Sequence, residues 1–144
     1  MTVNQISVFI ENKAGSLYGL TQVLAENHID IRALYLAESS DFGIARLIVN
    51  DVYAASTLLK DSGYVHQVSP VLAVAVPDVP GGLNNLLHMF AETEVNVEYM
   101  YAFLGDKKAG NAYMIFRVAE PVKAAASLRA KCVKILEQED LSLL

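Results

Sequence analysis

Apolar and polar residues follow two different spacings along the first half of the chain. Ile6, Val8 and Ile10 alternate with more polar neighbours, which predicts a strand. After a turn, apolar residues recur every three or four positions, which predicts an amphipathic helix. Further changes of spacing give the order βαββαβ. The predicted elements are Val3–Ile10, a helix carrying Leu17, Leu20, Val23 and Leu24, Ile29–Ala37, Ile44–Val49, a helix from Asp51 to Ser62, and Tyr64–Val68.

The second half repeats this order. Pro70 marks the boundary, and Pro121 takes the first position of a predicted helix, where proline is favoured. We therefore expect two domains, residues 1–69 and residues 70–144. The predicted elements are Val71–Val76, a helix carrying Leu83, Leu86, Leu87 and Phe90, Val95–Phe103, Ala112–Val118, a helix from Glu120, and Val133–Glu137.

The two halves are also similar residue by residue. A shift of 66 positions lays residues 11–36 over residues 77–102 without a gap, with six identities among 26 positions. The identities fall on a shared turn, helix face and strand, so we infer a duplication. The identical pairs are Gly15/Gly81, Leu17/Leu83, Leu20/Leu86, Ala25/Ala91, Glu26/Glu92 and Tyr35/Tyr101.

The repeated order predicts an α+β protein made of two ferredoxin-like βαββαβ units. Each unit forms an antiparallel four-stranded sheet with both helices on one face. The other face is left uncovered, and a unit of this size is marginal by itself. We therefore expect the units to pair side by side into an eight-stranded sheet, and two chains to pack sheet face to sheet face as a homodimer.

Composition and charge exclude several classes of protein. Of the 144 residues, 53% are hydrophobic and only 19% are charged, which is the opposite of a disordered chain. No apolar run approaches the ~20 residues of a membrane-spanning helix, and no secretory signal opens the sequence. A net charge of −5 without a basic cluster argues against nucleic acid as a partner. A single cysteine cannot form an internal disulfide, so we expect a cytoplasmic protein.

No group of side chains has the spacing of an active site. His28, His66 and His88 lie in different predicted elements, so we expect no metal site. Cys132 has no histidine in sequence reach and is interpreted as a small buried apolar residue. Residues 80–82 lack the lysine and hydroxyl of a phosphate-binding loop. We therefore expect no catalytic residue and no cofactor.

The turn between the first strand and first helix of each repeat is the strongest candidate for a binding site. Free N–H groups at a helix N-terminus attract a carboxylate, and glycine lets it approach. In the first repeat, the amide Asn12 precedes the glycine and the acid Asp30 opens the next strand. In the second repeat, the acid Asp78 precedes the glycine and the amide Asn96 opens the strand. An acid and an amide together suit the ammonium of an amino acid. The same residue types also build turns and caps, so an empty structural turn stays an alternative.

These segments resemble the strand-to-helix loop and second-strand start of the ACT-domain family of amino-acid-sensing modules, especially its stand-alone tandem members. The resemblance covers Glu11–Leu17 with Asp30-Ile31, and Pro77–Leu83 with Asn96-Val97. It implies a non-catalytic regulator that binds a free amino acid and controls a partner enzyme or pathway of amino-acid metabolism. Pro80 matches a proline common in the family, whereas Ala14 departs from it. By similarity, the ligand-binding residues are Asn12, Ala14, Gly15, Ser16, Leu17, Asp30, Asp78, Pro80, Gly81, Gly82, Leu83 and Asn96.

Two other functions stay open from the sequence. A structural or protein-interaction subunit would have the same fold and bind no ligand at its turns. A small ferredoxin-like enzyme would use Tyr99, Tyr101 or Tyr113, although the sequence offers no acid–base partner for them.

Overall fold

The computed structural model describes residues 2–106 and 108–143. It has the predicted α+β architecture with βαββαβ-type repeats, and it divides into two compact units. The first unit is Asn4–Ser69, and the second comprises the chain from Pro70 onward with the residues before Asn4. The strands are β1 (Val3–Glu11), β2 (Ile31–Glu38), β3 (Phe42–Val49), β4 (His66–Pro77), β5 (Val97–Asp106) and β6 (Asn111–Val118), and the helices are α1 (Ser16–Glu26), α2 (Val52–Asp61), α3 (Gly82–Glu92), α4 (Pro121–Ala130) and α5 (Gln138–Ser142).

In the first unit, β3 lies between β1 and β2 and pairs antiparallel with both. Ala45 of β3 stands opposite Val8 on one side and Leu36 on the other. Helix α2 begins after Asp51, whose carboxylate accepts a hydrogen bond from the Ala54 N–H at 3.0 Å, a standard N-cap. The helices bury their apolar sides against the sheet. The core residues are Ile6, Val8, Ile10, Leu20, Leu24, Ala45, Leu47, Val49, Ala55 and Leu59.

In the second unit, β6 lies between β4 and β5, again antiparallel to both. Phe90 of α3 meets Phe116 of β6 edge to face, with ring centroids 5.2 Å apart. Pro121 begins α4, as predicted. The core residues are Leu72, Val74, Val76, Leu86, Phe90, Phe116, Val118, Ala124, Ala125, Leu128 and Ile135.

The prediction of eight strands is wrong, because the structure has six strands in its described residues. The predicted strand Tyr64–Val68, from His66 onward, and the predicted strand Val71–Val76 form one continuous strand, β4. Pro70 does not interrupt it, because proline is tolerated where a strand needs no N–H donor. Its carbonyl accepts a hydrogen bond from Arg117 Nη1 at 3.1 Å.

The predicted last strand, Val133–Glu137, is reduced to a single antiparallel bridge between Ile135 and Val74. The chain then turns into α5, which the sequence patterns do not predict. The Glu137 N–H donates to the Asp140 carboxylate at 2.7 Å, which caps the start of this helix.

The expectation of an uncovered sheet face is wrong along β4. Val71, Ala73 and Ala75 alternate with the residues that face the helices, yet each is at most 7% exposed. The chain itself therefore buries both faces of this part of β4, which accounts for its uninterrupted apolar run. These positions are not available to a second chain.

Candidate functional site

The glycine before the first helix has nearly the same backbone conformation in the two predicted binding loops. Gly15 and Gly81 precede α1 and α3 in the left-handed conformation, with φ of 87° and 85°. No side chain caps either helix. The first helical turn therefore keeps N–H groups that can bind an anion, and glycine holds a φ that a side chain would strain.

Each loop is also held in place by the hairpin beside it. The Asn12 N–H donates to the Asp41 carbonyl at 2.9 Å, and the Asp78 N–H donates to the Gly110 carbonyl at 2.9 Å. Both bonds join the end of the first strand of a repeat to the hairpin of that repeat. The duplicated sequence therefore produces a duplicated loop.

The structure does not bring together the acid and the amide of one repeat. Asn12 follows the end of β1, next to the hairpin that joins β2 and β3, whereas Asp30 lies just before the start of β2. Strand β2 has eight residues, so the two side chains are separated by roughly 25 Å of strand. Asp78 and Asn96 likewise lie at opposite ends of the second sheet. The sequence interpretation that joins them at one ammonium within a repeat is wrong for a single unit.

In the first unit, both predicted polar contacts are already engaged. Asn12 Nδ2 donates to the Ser39 carbonyl at 3.0 Å. The Asp30 carboxylate lies 3.2 Å from Arg32 Nη1. The cavity against this loop, which Ser16 and Leu17 help to line, has a volume of only ≈ 60 Å³.

In the second unit, Asp78 and Asn96 are exposed and have no hydrogen bond or ion pair from their side chains to any residue described. Asn96 lines a cavity of ≈ 320 Å³ together with the start of α4, including Glu120 and Lys123. The side chains of Asp78 and Asn96 are therefore available to a ligand. The equivalent side chains of the first unit, Asn12 and Asp30, are already engaged.

The remaining predicted residues complete the two loops. Ala14 and Pro80 are exposed at the turns, and Leu17 and Leu83 pack against the cores of their units. Gly82 is buried, and a Cβ added there would lie 2.1 Å from the Pro77 carbonyl oxygen. Ser16 occupies the same place in the first loop, so the second loop turns more tightly.

Cys132 is exposed, which corrects the interpretation of it as a buried residue. It follows the end of α4 with φ of 63°, a conformation that Gly63 adopts after α2 with φ of 82°. The Cys132 N–H donates to the Arg129 carbonyl at 3.0 Å, as the Gly63 N–H donates to that of Lys60 at 3.1 Å. A shift of 69 positions relates these two helix ends.

One carboxyl with a lowered pKa, that of Glu92, lies away from both loops. A hydrogen bond from Lys131 Nζ at 2.6 Å, with the charge of that lysine, lowers the pKa of the Glu92 carboxyl. The nearby His88 lowers it further. In the part of the chain that the structure describes, no three histidine, cysteine or acidic side chains cluster as a metal site would need. No helix of that part has the length and apolarity that crossing a bilayer requires.

The sequence model of the family described as an ACT domain pair matches residues 1–144. The chain belongs to the ACT domain pair family. ACT domains are regulatory rather than catalytic, and they often bind amino acids. The family assignment confirms the resemblance that the two loops indicate.

Comparison with solved structures finds chains of the same fold. Protein BT0572 from Bacteroides thetaiotaomicron is 37% identical, with a TM-score of 0.92 over 100% of this chain and 98% of that one. The regulatory subunit of aspartate kinase from Thermus thermophilus is 19% identical, with a TM-score of 0.65 over 90% of each chain. Its Thermus flavus counterpart is 19% identical, with a TM-score of 0.62 over 88% of each chain. At that identity the two subunits share the fold alone. No curated protein matches the sequence.

Proposed function

We propose that this ACT domain pair is a non-catalytic cytoplasmic sensor that binds a free amino acid at its strand-to-helix loops. Binding regulates a partner enzyme or pathway of amino-acid metabolism. Regulatory subunits of aspartate kinase have the same fold, so a chain of this architecture is suited to act on a separate enzyme. The second loop is the principal site.

The observation that carries the proposal is the position of Asp78 beside the uncapped start of α3. The N–H groups of the first helical turn favour the carboxylate of an amino acid. The exposed Asp78 carboxylate, which has no partner among the described side chains, favours its ammonium. A negative and a positive binding group in one loop select a zwitterion over a simple anion.

We propose further that a second copy of the chain completes each site. Antiparallel pairing of two β2 edges through a two-fold axis brings the start of one strand to the end of the other. Asp30 of one copy then approaches Asn12 of the other, and Asp78 approaches Asn96 in the same way through β5. Leu34 and Leu36 support this edge as an interface, because they are 40% and 47% exposed although they share a face with core residues.

Calorimetric titration of the full chain with each of the twenty amino acids tests the proposal. We expect saturable heat for at least one of them, and at least about tenfold weaker binding for Asp78→Asn, which loses a charged hydrogen bond. Asp61→Asn removes an exposed carboxylate at the end of α2 and should bind normally. A flat response of the unsubstituted protein to all twenty would contradict the proposal.

A structural subunit with empty loops remains the second candidate. The Asn12 side chain favours it, because its amide already fastens the first loop to Ser39. Stable capture of a partner enzyme that no amino acid alters, together with a flat titration, would establish this alternative.

A further inference from the structure

The second unit has a cavity of ≈ 460 Å³ that neither predicted polar contact lines. It lies between α3, the end of β4 and residues 131–134, which follow α4. Its volume is in the range of small-molecule sites, about 300–1,000 Å³. The cavity lies beside β4. Strand β5, the edge through which we propose pairing, is separated from β4 by β6.

The cavity lies where the two repeats differ in side-chain size. Val133 donates its N–H to the Leu128 carbonyl at 3.0 Å, as Tyr64 does to Leu59 at 2.9 Å, so the two residues hold equivalent positions. In the first unit the Tyr64 hydroxyl reaches to within 3.6 Å of the point where Gly19 of α1 would carry a Cβ. The shorter Val133 cannot reach the corresponding place on α3.

The walls of the cavity are mostly apolar, and the charged residues described among them are both lysines. Val76, Leu86, Met89 and Val133 contribute aliphatic surface, while Lys131 and Lys134 are the charged residues that line it among those the structure describes. Lys131 is paired with Glu92, so Lys134 supplies the charge that is not neutralised by that pair.

The geometry points to a second ligand site here, for a small carboxylic acid with an apolar body. The aliphatic walls bind the body of the ligand, and Lys134 favours its carboxylate. Among the side chains that the structure describes, no acidic one lines the site, so Lys134 makes an anion the favoured ligand there. The site is therefore chemically different from the zwitterion site proposed at Asp78.

Cys132 makes the site measurable, because it is the single cysteine of the chain, it is exposed, and it lines the cavity. The experiment follows alkylation of Cys132 by iodoacetamide with mass spectrometry, in the full chain, at increasing concentrations of 1-naphthylacetate. We expect saturable slowing by this anion, weaker slowing by neutral 1-naphthylacetamide, and none by cationic 1-naphthylmethylamine. Slowing that does not saturate, or that is equal for the amine, overturns the proposal.

Two variants fill the cavity from different sides. Val133→Tyr copies the first unit, and Asn85→Phe enlarges an exposed residue of α3, so at least one of them should preserve the fold. Both should abolish protection of Cys132 by 1-naphthylacetate, whereas Val133→Ile should keep it. Lys134→Gln should weaken protection about tenfold for the anion and leave the amide unchanged.

A further variant separates this site from the proposed amino-acid site. Asp78→Asn should leave protection of Cys132 intact, because Asp78 does not line the cavity. Protection that survives in both cavity-filling variants would contradict the second site. Loss of protection in Asp78→Asn but not in those variants would assign the effect to the loop instead.

Discussion

The two units of this chain share one scaffold and differ at a few positions that surround α1 and α3. Their glycines before the first helix have nearly equal φ, and their hairpins hold both loops by equivalent hydrogen bonds. The first unit places Ser16 and Tyr64 where the second has Gly82 and Val133. The first loop has its polar side chains engaged, while the second has them available. The two loops therefore share their glycine conformation and their hairpin hydrogen bonds, while the side-chain differences make the second unit the better candidate for ligand binding.

The largest expected difference between the units is in the free energy of unfolding lost when a loop residue is changed to alanine, because the second loop turns more tightly. Gly82→Ala places a Cβ 2.1 Å from the Pro77 carbonyl oxygen, so the backbone must move to relieve the clash. We expect a loss of about 3 kcal/mol in the free energy of unfolding, measured by urea denaturation. Ser16→Ala, the matched change, should cost less than about 0.5 kcal/mol. Equal effects would show that the two loops do not differ in this way.

Removal of the tyrosine that has no counterpart in the second unit should have the next largest effect. Tyr64 packs against the first core, so Tyr64→Val should destabilise the protein by about 2 kcal/mol. Tyr53, which is 84% exposed, offers a control, since Tyr53→Val should change stability little. A stability loss no greater than that of the control would mean that Tyr64 does not fill space beside α1.

The two helix ends should respond in opposite directions. Cys132→Gly should stabilise the protein by about 1 kcal/mol, because glycine adopts positive φ without strain. Gly63→Ala, at the equivalent position after α2, should cost about the same amount. Thermal unfolding of both variants measures the pair of shifts. Destabilisation by Cys132→Gly would show that the cysteine side chain has a stabilising role.

The smallest effect concerns the ion pair that only the second unit can form. Lys131 corresponds to Ser62, so the pair with Glu92 has no counterpart. Because the pKa of Glu92 is lowered, its stabilisation is present above the ordinary carboxyl pKa and is lost as the pH falls through the lowered value. NMR titration of Lys131→Gln should show the Glu92 pKa rising, whereas Lys123→Gln, which removes a separate surface pair, should not move it.

The sequence predicted the elements well where local spacing decides them, and poorly where long-range pairing decides them. The apolar faces of α1 and α3 follow from the spacing of apolar residues. Pro70 is predicted to separate two strands, whereas strand pairing carries β4 through it, although the two units divide at this residue. Val133–Glu137 has strand-forming residues, yet it makes a single bridge, and α5 follows. Of the site, the loops could be predicted, whereas the separation of Asn12 from Asp30 required the strand register.

By itself, the sequence determined the duplication, the α+β class and the two glycine loops, because each depends on neighbours within about one element. Only the tertiary structure decided which polar side chains are engaged, that Cys132 is exposed, and that a cavity lies beside Val133. The physical reason is that side-chain contacts depend on residues far apart in sequence, while local conformation depends mainly on adjacent ones.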